Sequence, residues 1–416
     1  MRSIRIASLA LAAALCLGAA TAPLTVDDCV RLALERAPVV QGATADIAAA
    51  QALERSARAA YFPKLIGQAQ YGVSQGYDIA VTNGGVTALG VAIEAPLYDG
   101  GLRAAQLEAA RARLQSAAAL AQQRRADAAF SARNAYYAAL AARSEVDIQR
   151  DTIGTLTSYL DLLRRQQELG LVPASDAPRV ELAVHSAQSA ERAAGATLNG
   201  ALRELGELTG AAVDEAMLVD PPGTPLGPVG DDLVEASPSI ADARASADAA
   251  RRDADAIRSE GRGRLALTAD GGFLGVDPGK TFRDNGGGEF LLGFILPLFD
   301  GGALSARVAA ASAATASAEA KVRQARQTLV IALARLRADA LRAQADAEAW
   351  QRALPVASES FLLLRARYFG GGGVRLLDVL DGLNQSVEVR LATARARLAY
   401  RLATATQAQL LGRIEP

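Results

Sequence analysis

The sequence predicts a mixed α and β membrane protein in which very long helices join four short strands per chain, written as two copies of one structural unit. Three observations carry this. Pro96-Leu97-Tyr98-Asp99-Gly100-Gly101 returns 201 positions later as Pro297-Leu298-Phe299-Asp300-Gly301-Gly302. Helical hydrophobic periodicity persists over stretches far longer than an ordinary globular helix. Four glycine-punctuated segments alternate apolar with small or polar residues, each about as long as a tilted strand needs to be to cross a bilayer.

The duplication has further anchors: Glu35 and Pro38 reappear as Glu235 and Pro238, and Leu208-Thr209-Gly210 as Leu410-Leu411-Gly412. A period of about 200 is the size of a domain rather than of a solenoid repeat, so both halves should share one topology. The expected organisation is a signal peptide over 1–22, a first repeat over 23–219, a Pro/Gly linker over 220–232 and a second repeat over 233–416. The leader carries Arg2 and Arg5, an apolar run from Ile6 to Leu17, and small residues at Ala20 and Ala22, the order of a secretory signal. Cys16 is lost with it, and Leu15 stands where a lipoprotein signal has a small residue, so no lipid anchor is expected. Cys29 is then a lone thiol at an apolar position, read as a buried free cysteine.

With 50% hydrophobic and 21% charged residues, the chain can bury a large core, and its formal charge of −1 gives no attraction to nucleic acid. Beyond the leader there is no run of about 18 apolar residues, which excludes a helical membrane span and leaves periplasm, medium or outer membrane.

Each repeat opens with a helix, from about Pro38 to Ala60 and from Pro238 to Ser259, with proline in the tolerated first turn. Strand pairs follow: Lys64 to Val73 with Val86 to Leu97, and Arg264 to Phe273 with Glu289 to Leu298. In the last of these, Phe290, Leu292, Phe294 and Leu296 alternate with Glu289, Leu291, Gly293 and Ile295. From Gly101 to Leu169 there is no proline and only Gly154 inside, so one helix of roughly 100 Å is expected before a turn near 170. In the second repeat Leu329, Leu333, Leu336, Ala340, Ala343, Ala347, Trp350 and Leu354 form a heptad seam. Pro355 should kink or break that helix before it resumes towards Phe369, ahead of a turn near 372 and a last helix. Asp220 to Gly230 holds Pro221, Pro222, Pro225 and Pro228 and reads as the linker.

Closure decides the assembly. A membrane barrel leaves no strand edge open, and four strands cannot close. Two chains would give eight strands around a filled interior. Three give twelve and room for an aqueous lumen, so a trimer is expected.

At this point the residues resemble the TolC family of outer-membrane efflux proteins, over nearly all of the mature chain. The Pro-Leu-(Tyr/Phe)-Asp-Gly-Gly stretches at Pro96, Asp99, Gly100 and Gly101, and at Pro297, Asp300, Gly301 and Gly302, look like the family's strand-to-helix junctions. The turn Glu168-Leu169-Gly170-Leu171-Val172 with Asp176 after it, and Leu377-Asp378-Val379-Leu380-Asp381 at the start of the last long helix, are similar to family motifs. The resemblance implies a homotrimer, in which a twelve-stranded outer-membrane β-barrel is continuous with a twelve-helix periplasmic coiled-coil tunnel. It implies an exit duct of a tripartite efflux pump or type I secretion system, partnered by a periplasmic adaptor and an inner-membrane pump or ABC transporter. It also implies a pore constriction at Asp378 and Asp381. Their other reading is as solvated first-turn residues favoured by a helix N-terminus.

Asp176 resembles the family's partner in a lock at the tunnel tip, which pairs that aspartate with a tyrosine and an arginine on the other hairpin. Here the aligned positions hold Phe369 and Val374, with Tyr368 and Arg375 one residue away. Either the register shifts locally or the lock differs. The run Gly370 to Gly373, centred near Gly372, could absorb a shift.

No catalytic, metal or cofactor site is legible. His185 reads as a satisfied or solvated histidine, and Trp350 as packing. Gly275-Val276-Asp277-Pro278-Gly279-Lys280-Thr281 lacks the spacing of a phosphate loop and reads as an extracellular loop. Tyr61, Phe62, Tyr98 and Phe299 suit either a membrane interface or a core. The rival function is a periplasmic coiled-coil scaffold or adaptor without a pore, which the helices alone would permit.

Overall fold

The computed structural model describes residues 23–72, 86–276 and 286–415. The leader with Cys16, the strand end at Val73 and the loop beyond Val276 lie outside them. In order the elements are α1 (Val26–Arg36), α2 (Pro38–Ala59), β1 (Lys64–Gly72), β2 (Val86–Tyr98), α3 (Leu102–Glu168) and α4 (Asp176–Thr209). Further along come α5 (Asp231–Glu235), α6 (Pro238–Ser259), β3 (Arg264–Val276), β4 (Gly286–Ile295), α7 (Ala303–Phe369) and α8 (Leu376–Leu410). Both α3 and α7 are 67 residues long. Among the described residues, no helix is long and apolar enough to cross a membrane.

The chain divides into two compact units, and each draws on both halves of the sequence. One comprises Met1–Gly42, Gln122–Ser237 and Thr328–Pro416; the other comprises Ala43–Ala121 and Pro238–Gln327. In the first, α3, α4 and α8 bury Ala135, Tyr136, Ala139, Leu140, Leu198, Leu205 and Ala405 around Cys29. Burial pushes the Cys29 thiol up to about 12, which leaves it inert as a nucleophile. The Tyr136 hydroxyl donates to the Val219 carbonyl at 2.7 Å and accepts from the Val219 amide at 2.9 Å. Arg143 donates to the carbonyls of Glu215 and Leu218, so the stretch after α4 lies pinned on α3.

The second unit holds the sheet, which is antiparallel in the order β1-β2-β3-β4. The two hairpins merge because β2 pairs with β3, from Val86 opposite Val276 to Tyr98 opposite Leu265. Here backbones come close: a Cβ on Gly272 would lie 2.6 Å from the Gly90 Cα. Only glycine fits there without moving the main chain.

Two expectations need correction. The helix containing Pro355 is neither broken nor restarted, and α7 runs through it to Phe369. A proline removes one helical hydrogen bond, and many flanking turns hold the helix on either side of the defect. The last strand lies three residues earlier than expected, at Gly286–Ile295 rather than 289–298. β3 begins at Arg264, opposite Ile295, and so offers Leu296–Leu298 no partner, whereas the end of β2 continues to Tyr98 against Leu265–Leu267 of β3 through a bulge at Pro96. Of the seam, Leu329, Leu333, Ala340 and Ala343 are buried, while Trp350 is exposed.

Candidate functional site

The register divides the sheet into two chemically different faces. Leu65, Ile93, Ala269 and Phe290 lie in one row across all four strands. On the same face lie Gly67, Ala69 and Tyr71 of β1, Leu89, Val91 and Ala95 of β2, Leu265, Leu267 and Phe273 of β3, and Leu292 and Phe294 of β4. It carries no charged residue. The charged residues of the strands, Lys64, Glu94, Arg264, Asp270 and Glu289, all fall on the other face, with Gln68, Gln70 and Thr268. Asp270 stands directly opposite Glu289, an arrangement that water must screen. The apolar face is open in the single chain, with Phe290 83% and Leu65 72% exposed, and a continuous apolar surface of this kind marks contact with lipid or protein. Among the described residues, the outer edges of β1 and β4 pair with no strand.

The strand-to-helix junctions are built alike in both halves. After Pro96, Asp99 Oδ1 accepts from the Gly101 amide at 3.1 Å, and its Oδ2 accepts from the Arg103 amide at 3.1 Å and from Arg103 Nε at 2.6 Å. After Pro297, Asp300 accepts from the amides of Gly302 and Leu304 at 2.9 and 2.6 Å. Each aspartate caps the first turn of a 67-residue helix. Gly100 and Gly301 both have φ +67°, and Gly101 and Gly302 have +98° and +89°, so the chain reverses through backbone that L side chains avoid. Burial alone would raise the Asp99 carboxyl, but the Arg103 side chain and the two amides outweigh it and hold it below the usual range. The Asp300 carboxyl is lowered by its Leu304 and Gly302 hydrogen bonds.

In the helical unit, the turn between α3 and α4 and the turn between α7 and α8 come together. Gly170 (φ +70°) ends α3, with the Leu171 amide donating to the Gln166 carbonyl. At the other turn Gly371 and Gly373 take positive φ and Gly372 does not; its amide closes the turn on the Arg367 carbonyl at 2.9 Å. Below both turns, Leu156, Tyr159, Leu163, Val180, Leu376, Val379 and Leu383 form a core that packs on Phe361, Leu364, Phe369 and Val374.

Of the sequence-predicted tip residues, Asp176 and Tyr368 meet and Arg375 stands apart from them. The Tyr368 hydroxyl donates to Asp176 Oδ2 at 2.6 Å, and Asp176 is 8% exposed at the first position of α4. Burial and then the Asp176 hydrogen bond raise the Tyr368 phenol. Phe369 and Val374 pack into the core, so the tyrosine acts one residue before the aligned position. Arg375 turns instead to Asp378, with its Nη2 3.0 Å from Oδ1 and its amide 3.1 Å from Oδ2. Asp378 thus caps α8, its carboxyl lowered by the Arg375 side chain, while Asp381, one turn on, is exposed.

Sequence reasoning missed Tyr159. Its ring lies edge-on to Phe369 at 5.2 Å and to Tyr368 at 6.2 Å. Its spacing from Leu156 and Leu163 marks a core position, but no local signal showed which aromatic it would face.

The outer membrane efflux protein profile matches residues 29–211 and 229–413, one segment in each half of the chain. No curated protein matches. Among solved structures, the outer membrane protein VceC from Vibrio cholerae is 21% identical, with 94% of this chain and 97% of that one covered at a TM-score of 0.82. A membrane protein from Pseudomonas aeruginosa is 22% identical over 93% of each chain, also at 0.82. The Neisseria gonorrhoeae MtrE outer membrane channel, in its open state, is 20% identical over 93% of this chain and 89% of that one, at 0.80. The fold is shared with these proteins, and the profile spans both repeats. The resemblance to the TolC family therefore holds, and the chain belongs to the outer membrane efflux protein family.

Proposed function

We propose that this protein is the outer-membrane exit duct of a tripartite efflux pump or type I secretion system, a homotrimer that passively conducts substrate from periplasm to exterior. Three copies pool their strands into a twelve-stranded barrel, and their helices continue it as a periplasmic tunnel. A periplasmic adaptor and an inner-membrane pump or ABC transporter supply the substrate and the energy.

The observation that supports this best is the partition of the sheet, in which every strand charge lies on one face and the other, mostly apolar, carries none. A barrel wall with lipid outside and water inside requires that partition, and its free edges require further strands. A periplasmic scaffold has no use for an exposed apolar sheet. Expressed from its full sequence, the protein should fractionate with the outer membrane and run unheated as a band of about three times the chain mass that collapses on boiling. Recovery as a soluble periplasmic monomer would overturn the reading.

Asp378 and Asp381 would line the narrow end, where carboxylates around one axis attract cations and oppose anions. Replacing both with alanine should weaken block of single-channel current by divalent cations in planar bilayers. Undiminished block would leave Asp378 its capping role alone.

A further inference from the structure

A cavity of about 600 Å³ lies in the helical unit, between α3, α7, α8 and the stretch that follows α4. Small-molecule sites occupy roughly 300–1,000 Å³. Four arginines line it, Arg143, Arg390, Arg397 and Arg401, against two aspartates, Asp147 and Asp220. Asp151 pairs with Arg390 at 2.6 Å, Asp220 with Arg401 at 2.5 Å, and Asp147 with Arg150 at 3.9 Å. Arg143 has only the backbone carbonyls of Glu215 and Leu218, and Arg397 makes no ion pair or hydrogen bond among the described residues. Two guanidinium groups therefore share one cavity without a carboxylate of their own, and a concave wall of one sign concentrates counter-ions.

Three of the arginines are held while most of their donors stay unused. Arg143 is fixed through Nη1, and Arg390 and Arg401 through Nη2. The Arg401 guanidinium also lies over the Tyr137 ring, 5.8 Å from its centroid. A guanidinium carries five N–H donors in a rigid fork that matches a carboxylate, so each retains donors for an acceptor inside the cavity. Asp220 already shows such an acceptor in place, on an exposed residue outside the long helices. Leu140, Ile148, Leu354 and Leu398 give the same cavity an apolar side.

We propose that this cavity binds a small organic dianion, two acid groups on an apolar frame, and that Asp220 is the internal carboxylate such a ligand displaces from Arg401. The site stands whether or not the chain conducts. Its reporter is built in, because Trp350, the only tryptophan, directly precedes Gln351 of the cavity wall.

The test titrates the full-length protein, in a neutral detergent at low salt, with suberate, an eight-carbon dicarboxylate. Sulfate supplies charge without the frame, and 1,8-octanediol the frame without charge. Calorimetry and Trp350 fluorescence should both show suberate saturating with a Kd below about 1 mM, and both controls binding more weakly. Arg397→Gln, a change at an exposed side chain, should weaken suberate about tenfold. Asp220→Asn should tighten it about two- to fivefold, because it removes the competing carboxylate. A cavity that only holds water would give no saturation, and that result would overturn the proposal. So would sulfate binding as well as suberate, or a suberate Kd unmoved by Arg397→Gln or not tightened by Asp220→Asn.

Discussion

Ile93→Arg is expected to abolish assembly in the outer membrane, whereas Thr268→Arg, on the opposite face of the same sheet, is expected to assemble. Ile93 lies on inner strand β2 between Leu65 and Ala269, with Phe290 next in the row. An arginine there has no counter-charge on its face and meets hydrocarbon if that face meets lipid. The cost is roughly 2–4 kcal/mol per copy at the bilayer midplane, incurred three times in the proposed trimer. Folding free energies of single domains are of order 5–15 kcal/mol, so this is enough to prevent insertion. Thr268 stands opposite Glu94 on the polar face, where an arginine gains a carboxylate and keeps its water. The measurement is the yield of heat-modifiable trimer in the outer-membrane fraction. Normal yield from Ile93→Arg with loss of Thr268→Arg would reverse the assignment of the faces.

The same pair of residues shows where sequence reading stops. Alternation along one strand is visible in the sequence, as in Leu267-Thr268-Ala269-Asp270, but it does not say which strand's odd positions join which neighbour's even ones. That depends on the hydrogen-bonded register, and a slip of one residue would scatter the charges over both faces. The register collects them on one. The long helices were easier to read, because an uninterrupted run without proline from Leu102 to Glu168 has one economical backbone solution. Of the two effects expected at Pro355 the break does not occur, because the outcome depends on how firmly the flanking turns are held, which is a tertiary property. The tip shows the same division. The duplicated glycine turns and Asp176 are visible as motifs, but the choice of Tyr368 over Phe369 is made by packing. Phe369 is drawn into the core against Tyr159, and its neighbour is left facing the carboxylate. Arg375 likewise is taken by Asp378, only three residues along its own chain.

We propose that opening of the duct parts the two hairpins at the tip, so that Asp176→Ala is expected to raise the open fraction by roughly 10- to 100-fold, the equivalent of losing a hydrogen bond to a charged group worth about 1.5–3 kcal/mol. The bond from the Tyr368 hydroxyl joins residues 192 positions apart and ties the two hairpins together. The neighbouring aromatic contacts are edge-on and tolerate sliding in a way that a 2.6 Å hydrogen bond does not. Without the carboxylate, the Tyr368 hydroxyl is left part-buried with no acceptor, which adds to the cost of the shut state and favours the open one. Asp176 also begins α4, where a negative charge favours the helix N-terminus, so alanine removes two effects at once. Asp176→Asn separates them: it keeps an acceptor oxygen for Tyr368 and loses the charge, and its open fraction should fall between those of wild type and alanine. The double alanine substitution at Asp378 and Asp381 is the complementary control, expected to change divalent block with little effect on opening, because Asp378 is bound to Arg375 of its own turn and not to the other hairpin. A wild-type open fraction in Asp176→Ala would mean that the aromatic core alone holds the two turns together.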